Sequence, residues 1–123
     1  MMKVFIFLFF SLHVSFASSI SLSEEQRTYL SEKKVITMCV DSDWAPFEVL
    51  NEHQEHEGIA ADIIRLIARN LELDIQLVPT LTWEESIKKS QNKECDILSL
   101  INQTPKRDQW LVFTRIIKKA KKL

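Results

Sequence analysis

The chain has 123 residues, which leaves room for one domain at most. Its content of 46% hydrophobic and 9% aromatic residues is typical of a globular protein and excludes a disordered chain. Residues 18–114 contain all 17 acidic residues but only 10 of the 16 basic ones, and this acidic balance argues against a nucleic-acid-binding protein.

The first residues have the pattern of a secretory signal peptide. Lys3 precedes an unbroken apolar run over residues 4–10, and Ser15 and Ala17 are small residues suited to cleavage after Ala17. The apolar stretch is shorter than the ~20 residues that a membrane-spanning helix needs. We therefore predict a signal peptide over 1–17 and a periplasmic or secreted location.

Helical and strand patterns alternate after the signal peptide. Residues 18–34 predict a lead-in helix, which begins with a capping box formed by Ser23 and Gln26. Residues 35–40 form a continuous apolar run, which is typical of a strand buried on both faces. The polar stretch 51–57 then predicts a hairpin or a long turn.

The remaining elements continue the alternation. The periodicity predicts helices over 59–71 and 83–91, and strands over 74–78 and 95–101. In the first of these helices the core-facing side chains are expected to be Ile59, Ile63, Ile67 and Leu71. Thr104 and Pro105 begin a last short helix. This order predicts an α/β fold with a short parallel sheet flanked by helices.

Cys39 and Cys95 both lie in apolar runs that are predicted to be strands. A disulfide is chemically possible in an exported protein, but we expect two buried thiols instead. No second Cys or His lies at metal-ligand spacing from either cysteine, so we predict no metal site there.

The acidic and histidine residues are the candidates for an enzymatic function. The candidate acid/base carboxylates have no spacing that fixes a pair, and we expect them to be solvated or to cap helices; they are Asp41, Asp43, Glu48 and Asp62. His53 and His56 lie in the polar stretch rather than on a helix, so we expect a solvated loop. Glycine-rich phosphate loops and nucleophile motifs are absent from the sequence. We therefore predict a protein that is not an enzyme and has no cofactor.

A binding function fits the polar residues better, because ligands of parallel α/β sheets bind beyond the carboxyl ends of the strands. The predicted ligand-binding residues follow the first and third strands: Asp41, Trp44, Ser99, Asn102, Thr104 and Arg107. Trp44 is suited to stack on a side chain, and Arg107 is suited to hold a carboxylate by two parallel hydrogen bonds. In the alternative interpretation, Trp44 belongs to the core and Arg107 pairs with an acid such as Asp108.

Five short motifs, taken in order, resemble the bacterial extracellular solute-binding proteins of family 3. The first is Val35-Ile36-x-x-x-Val40-Asp41-x-x-Trp44-x-Pro46-Phe47, and the second is Gly58-Ile59-Ala60-Ala61-Asp62. The others are Trp83-Glu84 with Ile87, Asn92-x-Glu94-x-Asp96-Ile97-Leu98, and Thr104-Pro105-x-Arg107 followed by Phe113-Thr114. Together they cover about residues 23–114.

The resemblance implies the first lobe of a type II periplasmic-binding-protein fold over 35–114, with the second lobe missing. It implies that Trp44 is the stacking aromatic residue and that Thr104 and Arg107 hold the α-carboxylate of an amino-acid ligand. Asn102 stands where a small hydroxyl residue is usual, and Lys93 where a glycine is usual. The basic tail over 115–123 also departs from the family's pattern, and we interpret it as a truncated or frameshifted end.

The resemblance also implies partners. The expected function is extracytoplasmic binding of a small polar solute, an amino acid above all, for an ABC permease or for the rest of a membrane sensor. One alternative is a non-catalytic N-terminal module of a lytic transglycosylase whose catalytic domain is missing, and another is a vestigial product without function.

Overall fold

The computed structural model describes residues 20–115. The predicted signal peptide over 1–17 and residues 116–123 of the predicted basic tail therefore lie outside the described residues. The helices are α1 (Glu24–Lys33), α2 (Ile59–Leu71) and α3 (Trp83–Gln91), followed by a short 3₁₀ helix (Arg107–Gln109). The strands are β1 (Val35–Cys39), β2 (Asp43–Trp44), β3 (Glu48–Leu50), β4 (His56–Glu57), β5 (Asp74–Leu77) and β6 (Ile97–Leu98).

The main sheet is parallel and has the strand order β5-β1-β6. The strand β1 lies in the middle, and its residues Ile36, Met38 and Cys39 are buried, as the unbroken apolar run predicts. The chain passes from β1 to β5 on one side and then crosses to β6 on the other side. The predicted α/β class with a short parallel sheet is confirmed.

The third strand is shorter than predicted, because β6 contains only two residues of the apolar run over 95–101. Asp96 explains why the strand begins at Ile97 rather than at Cys95. Its carboxylate accepts hydrogen bonds from the backbone N–H of Thr37 at 2.9 Å and from the Thr37 hydroxyl at 2.8 Å. A side chain therefore takes the place of a strand carbonyl opposite β1.

A second sheet is antiparallel and has the order β2-β3-β4. It replaces the simple hairpin or long turn expected from the sequence, because the segment after β1 adds β2 as a third strand. The helix α2 packs on β3 and β4 through Ala60 and Ala61, which are both buried. The predicted core face of α2 is therefore wrong in part, since Ile59 and Ile67 are exposed.

Gly58 is the single glycine of the chain and joins β4 to α2. Its φ of +105° favours glycine, and an added Cβ would lie 2.7 Å from the Phe47 carbonyl oxygen and 2.9 Å from the Pro46 carbonyl oxygen. These two carbonyls accept hydrogen bonds from Ala60 and Ile59, the first residues of α2. The close approach at Gly58 thus holds the segment after β1 against the start of α2.

The predicted start of α1 is present, whereas the short helix predicted to begin at Thr104 and Pro105 begins at Arg107 as a 3₁₀ helix. The capping box at Ser23 and Gln26 is complete. Thr82 accepts a hydrogen bond from the backbone N–H of Glu85 at 3.2 Å, whereas the Glu85 carboxylate accepts from Leu81 rather than from Thr82. Within residues 20–115, none of the helices has the length and apolar character needed to cross a membrane.

A disulfide links Cys39 and Cys95, so the expectation of two buried thiols is wrong. The two cysteines are 56 residues apart in sequence, and sequence patterns alone do not show that the segment entering β6 lies beside β1. In the structure their Cα atoms are 5.7 Å apart, inside the usual range for a disulfide.

The disulfide gives a first testable prediction. Replacing both cysteines by alanine should lower the free energy of unfolding by roughly 2–4 kcal/mol, because the bridge closes a long loop in the unfolded chain. Urea denaturation of the oxidised protein and the double variant measures this difference. Equal midpoints for the two proteins would contradict a stabilising bridge.

An ion pair connects α1 to the main sheet. The Lys33 ammonium lies 2.8 Å from the Asp96 carboxylate, next to the Thr37 donors. Burial alone would raise the pKa of Asp96, but Lys33 and Thr37 outweigh burial and hold that pKa below its ordinary value. The hydrogen bond between Lys33 and Asp96 also raises the pKa of Lys33.

The lowered pKa of Asp96 gives a second prediction. A carboxylate with a lowered pKa stabilises the fold above its ordinary value, and this contribution is lost progressively as the pH falls from about 4 through the lowered pKa. Asp96→Asn should therefore cost about 1–2 kcal/mol at pH 7 and less at pH 3. Urea unfolding at both pH values checks this, and the exposed Asp74→Asn is the control. A cost that does not change with pH would contradict the ion pair.

Candidate functional site

Three chain segments leave the main sheet at the same edge, because the three strands are parallel. They are residues 40–44 after β1, residues 78–83 after β5 and residues 99–107 after β6. The Ser42 hydroxyl donates to the Leu81 carbonyl at 2.9 Å, and the Ser86 hydroxyl donates to the Val40 carbonyl at 2.7 Å. These bonds fix the first segment against the second segment and against α3.

Glu48 is the most deeply buried charged side chain at this edge, with 0% of its surface exposed. One carboxylate oxygen accepts from the backbone N–H of Asp41 at 3.0 Å. The other accepts from the Ser99 hydroxyl and lies 3.0 Å from Nε2 of His56. A buried carboxylate is costly unless its oxygens are hydrogen-bonded, and here three chain segments supply the donors.

His56 is buried as well, with 8% of its surface exposed. The expectation of a solvated loop is therefore wrong for His56, and the expectation of a solvated or capping carboxylate is wrong for Glu48. Both residues lie on paired strands whose side chains meet on one face. The Arg65 guanidinium of α2 donates to the His56 backbone carbonyl and so holds β4 in place.

Arg107 is held by the turn that precedes it and by Trp83 at the start of α3. Its Nη1 donates to the Asn102 backbone carbonyl at 2.8 Å, and its guanidinium carbon lies 5.7 Å from the centre of the Trp83 ring. The Thr104 hydroxyl oxygen accepts from the Arg107 backbone N–H at 3.3 Å. Among the described residues Arg107 forms no ion pair, so the alternative pairing with Asp108 is not what the structure has.

Trp44 lies on β2, half-buried, with its ring 5.0 Å from the ring of Phe47 at an angle of 49°. The six residues predicted to bind ligand therefore fall into three groups. Glu48 joins Asp41 to Ser99, the turn before the 3₁₀ helix joins Asn102, Thr104 and Arg107, and Trp44 packs on Phe47. All three groups lie on segments that leave the same edge of the sheet.

Two further parts of the site were missed from the sequence: the Glu48–His56 pair and Trp83. A charged residue inside the apolar run 47–50 signals burial, but the sequence does not identify its partners. Trp83 begins a helix directly after the exit of β5, which places it at the ligand edge by the same rule that was applied to the other two strands. Within residues 20–115, no group of three or more His, Cys, Asp or Glu side chains is placed to hold a metal ion.

Comparison with known proteins identifies the class to which this fold and this edge belong. The family of bacterial extracellular solute-binding proteins, family 3, matches residues 36–123. This chain belongs to that family.

The chain is also similar to one named sensor protein and to two solved domain structures. The virulence sensor protein BvgS of Bordetella pertussis is 26% identical over 105 residues, which are 85% of this chain and 8% of that protein. The crystal structure of the periplasmic VFT2 domain of BvgS matches with a TM-score of 0.69 and 24% identity, over 77% of this chain and 40% of that one. An arginine-bound form of domain 1 from TmArgBP, a Phe57Trp mutant, matches with a TM-score of 0.54 and 23% identity, over 67% and 64%.

These matches confirm the predicted fold class, because the matched structures are periplasmic-binding-protein domains. The chain spans 8% of the length of the curated relatives that it matches.

The buried carboxylate gives a third prediction. Glu48→Ala should lower the free energy of unfolding by about 3 kcal/mol, because it leaves the donors on buried His56 and on half-buried Ser99 and Asp41 without an acceptor. The control Glu57→Ala removes an exposed carboxylate from the next strand and should cost less than about 0.5 kcal/mol. Urea unfolding compares the two variants, and equal costs would contradict the buried network.

Proposed function

We propose that this chain supplies part of a lobe that binds a small amino acid outside the cytoplasm, as the input region of a membrane sensor. The observation that carries the proposal is the held guanidinium of Arg107 at the carboxyl edge of the parallel sheet. Its fork of N–H groups matches a carboxylate, and the contacts with Asn102 and Trp83 leave it without a carboxylate partner among the described residues.

The surroundings of Arg107 support an amino acid as the solute. Thr104 lies one turn before Arg107, and Ser99 lies at the exit of β6. Two hydroxyl groups therefore precede the guanidinium on the same chain segment. Leu81 is an exposed apolar side chain on the segment after β5, and the exposed Phe47 packs on Trp44 of the segment after β1. A ligand with a carboxylate, a polar centre and a short apolar stem fits such a set.

The matched proteins support both parts of the proposal. The match to an arginine-bound domain 1 supports amino-acid binding by a single lobe of this fold. The matches to BvgS, named as a virulence sensor protein, support a sensory role over a transport role. On this proposal the partner of the lobe is the rest of a membrane sensor. Binding of the solute to the lobe changes the state of that sensor.

A fourth prediction tests the binding function. At millimolar concentrations, at least one proteinogenic amino acid should raise the melting temperature of the chain, because a ligand that binds only the folded state stabilises it. Arg107→Ala should abolish that shift, since the guanidinium supplies the carboxylate contact.

Lys106→Ala is the matched control, because it removes an exposed positive charge from the same turn and should keep the shift. Differential scanning fluorimetry measures all three proteins. A wild-type chain that responds to none of the amino acids, or an Arg107→Ala variant that responds like the wild type, would contradict the proposed function.

A further inference from the structure

The hydrogen-bond directions around Glu48 restrict what Ser99 can offer to a ligand. A serine hydroxyl has one hydrogen to donate and two lone pairs that accept. The Ser99 hydroxyl donates its hydrogen to the Glu48 carboxylate, so that hydrogen is not free for a ligand. Any further partner of the Ser99 oxygen must therefore be a hydrogen-bond donor.

The position of Ser99 makes this restriction relevant to the ligand. Ser99 directly follows β6, is half-buried, and lies on the segment that leads to Arg107. Glu48 lies behind it, fully buried and joined to the segment after β1 through the Asp41 N–H. The site thus combines a cation, which attracts a carboxylate, with a hydroxyl oxygen that can only accept a hydrogen bond. The buried Glu48 carboxylate lies behind that oxygen.

We infer that Glu48 is a specificity-determining positioning residue, which fixes the Ser99 hydroxyl as an acceptor and so selects ligands with an ammonium group. This inference rests on the proposed function, and it adds which chemical group of the solute is read at Ser99. A ligand ammonium donates to the Ser99 oxygen in a charge-assisted hydrogen bond. A 2-hydroxy acid of the same shape has neither the charge nor the extra hydrogens.

Glu48→Gln tests the role of Glu48 with little change of shape. The amide N–H₂ replaces the oxygen that faces Ser99 and His56, so it donates to the Ser99 oxygen and frees the Ser99 hydrogen to point at the ligand. The amide oxygen still accepts from the Asp41 N–H. The polarity at Ser99 is thereby inverted while the contacts between the chain segments remain.

The experiment measures binding of matched ligand pairs by calorimetry, with the full chain. The pairs are L-alanine with L-lactate, L-phenylalanine with L-phenyllactate, L-glutamate with L-2-hydroxyglutarate, and L-arginine with L-argininic acid. For wild type, the amino acid of a bound pair should bind more tightly than the hydroxy acid. In Glu48→Gln this ratio of affinities should fall about tenfold, the factor for one hydrogen bond to a charged group.

Three further variants separate selection from simple support of the fold. Ser99→Ala should lower the ratio as Glu48→Gln does, and the double variant should lower it no further, because both residues act through one oxygen. Ser99→Thr keeps the hydroxyl and should retain the ratio. Glu57→Gln removes a negative charge from the same small sheet without touching Ser99 and should leave the ratio unchanged.

The outcomes distinguish the two proposals. A wild-type chain that binds no amino acid contradicts both the proposed function and this inference. A wild-type chain that binds amino acids, together with a Glu48→Gln variant that loses affinity equally for both members of each pair, contradicts the role of Glu48 alone. If Glu48→Gln fails to fold by circular dichroism, Ser99→Ala decides, since an unchanged ratio in that variant overturns the inference.

Discussion

The buried carboxylate of Glu48 is the interaction on which the arrangement of the site depends. It accepts from the backbone after β1 and from the side chain after β6, and it contacts a histidine on the neighbouring strand. Through Glu48 the segment after β6 is tied both to the small antiparallel sheet and to the segment after β1. A charge placed at 0% exposure requires this complete set of donors, so the network forms as a unit.

Other contacts hold the same edge from outside the network. Gly58 lets the carbonyls of Pro46 and Phe47 meet the first residues of α2, and the Cys39–Cys95 bridge links β1 to the segment that enters β6. Arg107 and Trp83 then form the open part of the edge. The rigid parts are thus local pairs and bridges, and the half-buried guanidinium of Arg107 is the group left to act on a solute.

Much of the fold follows from sequence patterns, because it depends on local spacing. The order of strands and helices, the capping box at Ser23 and the early glycine of α2 are all readable within a few residues. The position of Asp41, Ser99 and Arg107 at one edge follows from the general rule for parallel sheets. The Glu48–Ser99 bond and the disulfide do not follow, since their partners are 51 and 56 residues apart and no periodicity encodes them. The exposure of Ile59 and Ile67 was missed for a related reason, because the buried residues of α2 are the small alanines Ala60 and Ala61.

The central claim is that a solute binds at the carboxyl edge of the parallel sheet between Ser99 and Arg107. Two-dimensional ¹H–¹⁵N NMR of the chain, titrated in turn with L-arginine, L-glutamate, L-glutamine and L-alanine, tests that claim most directly. The account predicts that at least one of them shifts the amide signals of Asp41, Ser99 and residues 102–107, while α1 and the exposed face of α2 stay unchanged. Titrations that move none of these signals, or that move chiefly those of α1 or α2, would contradict it.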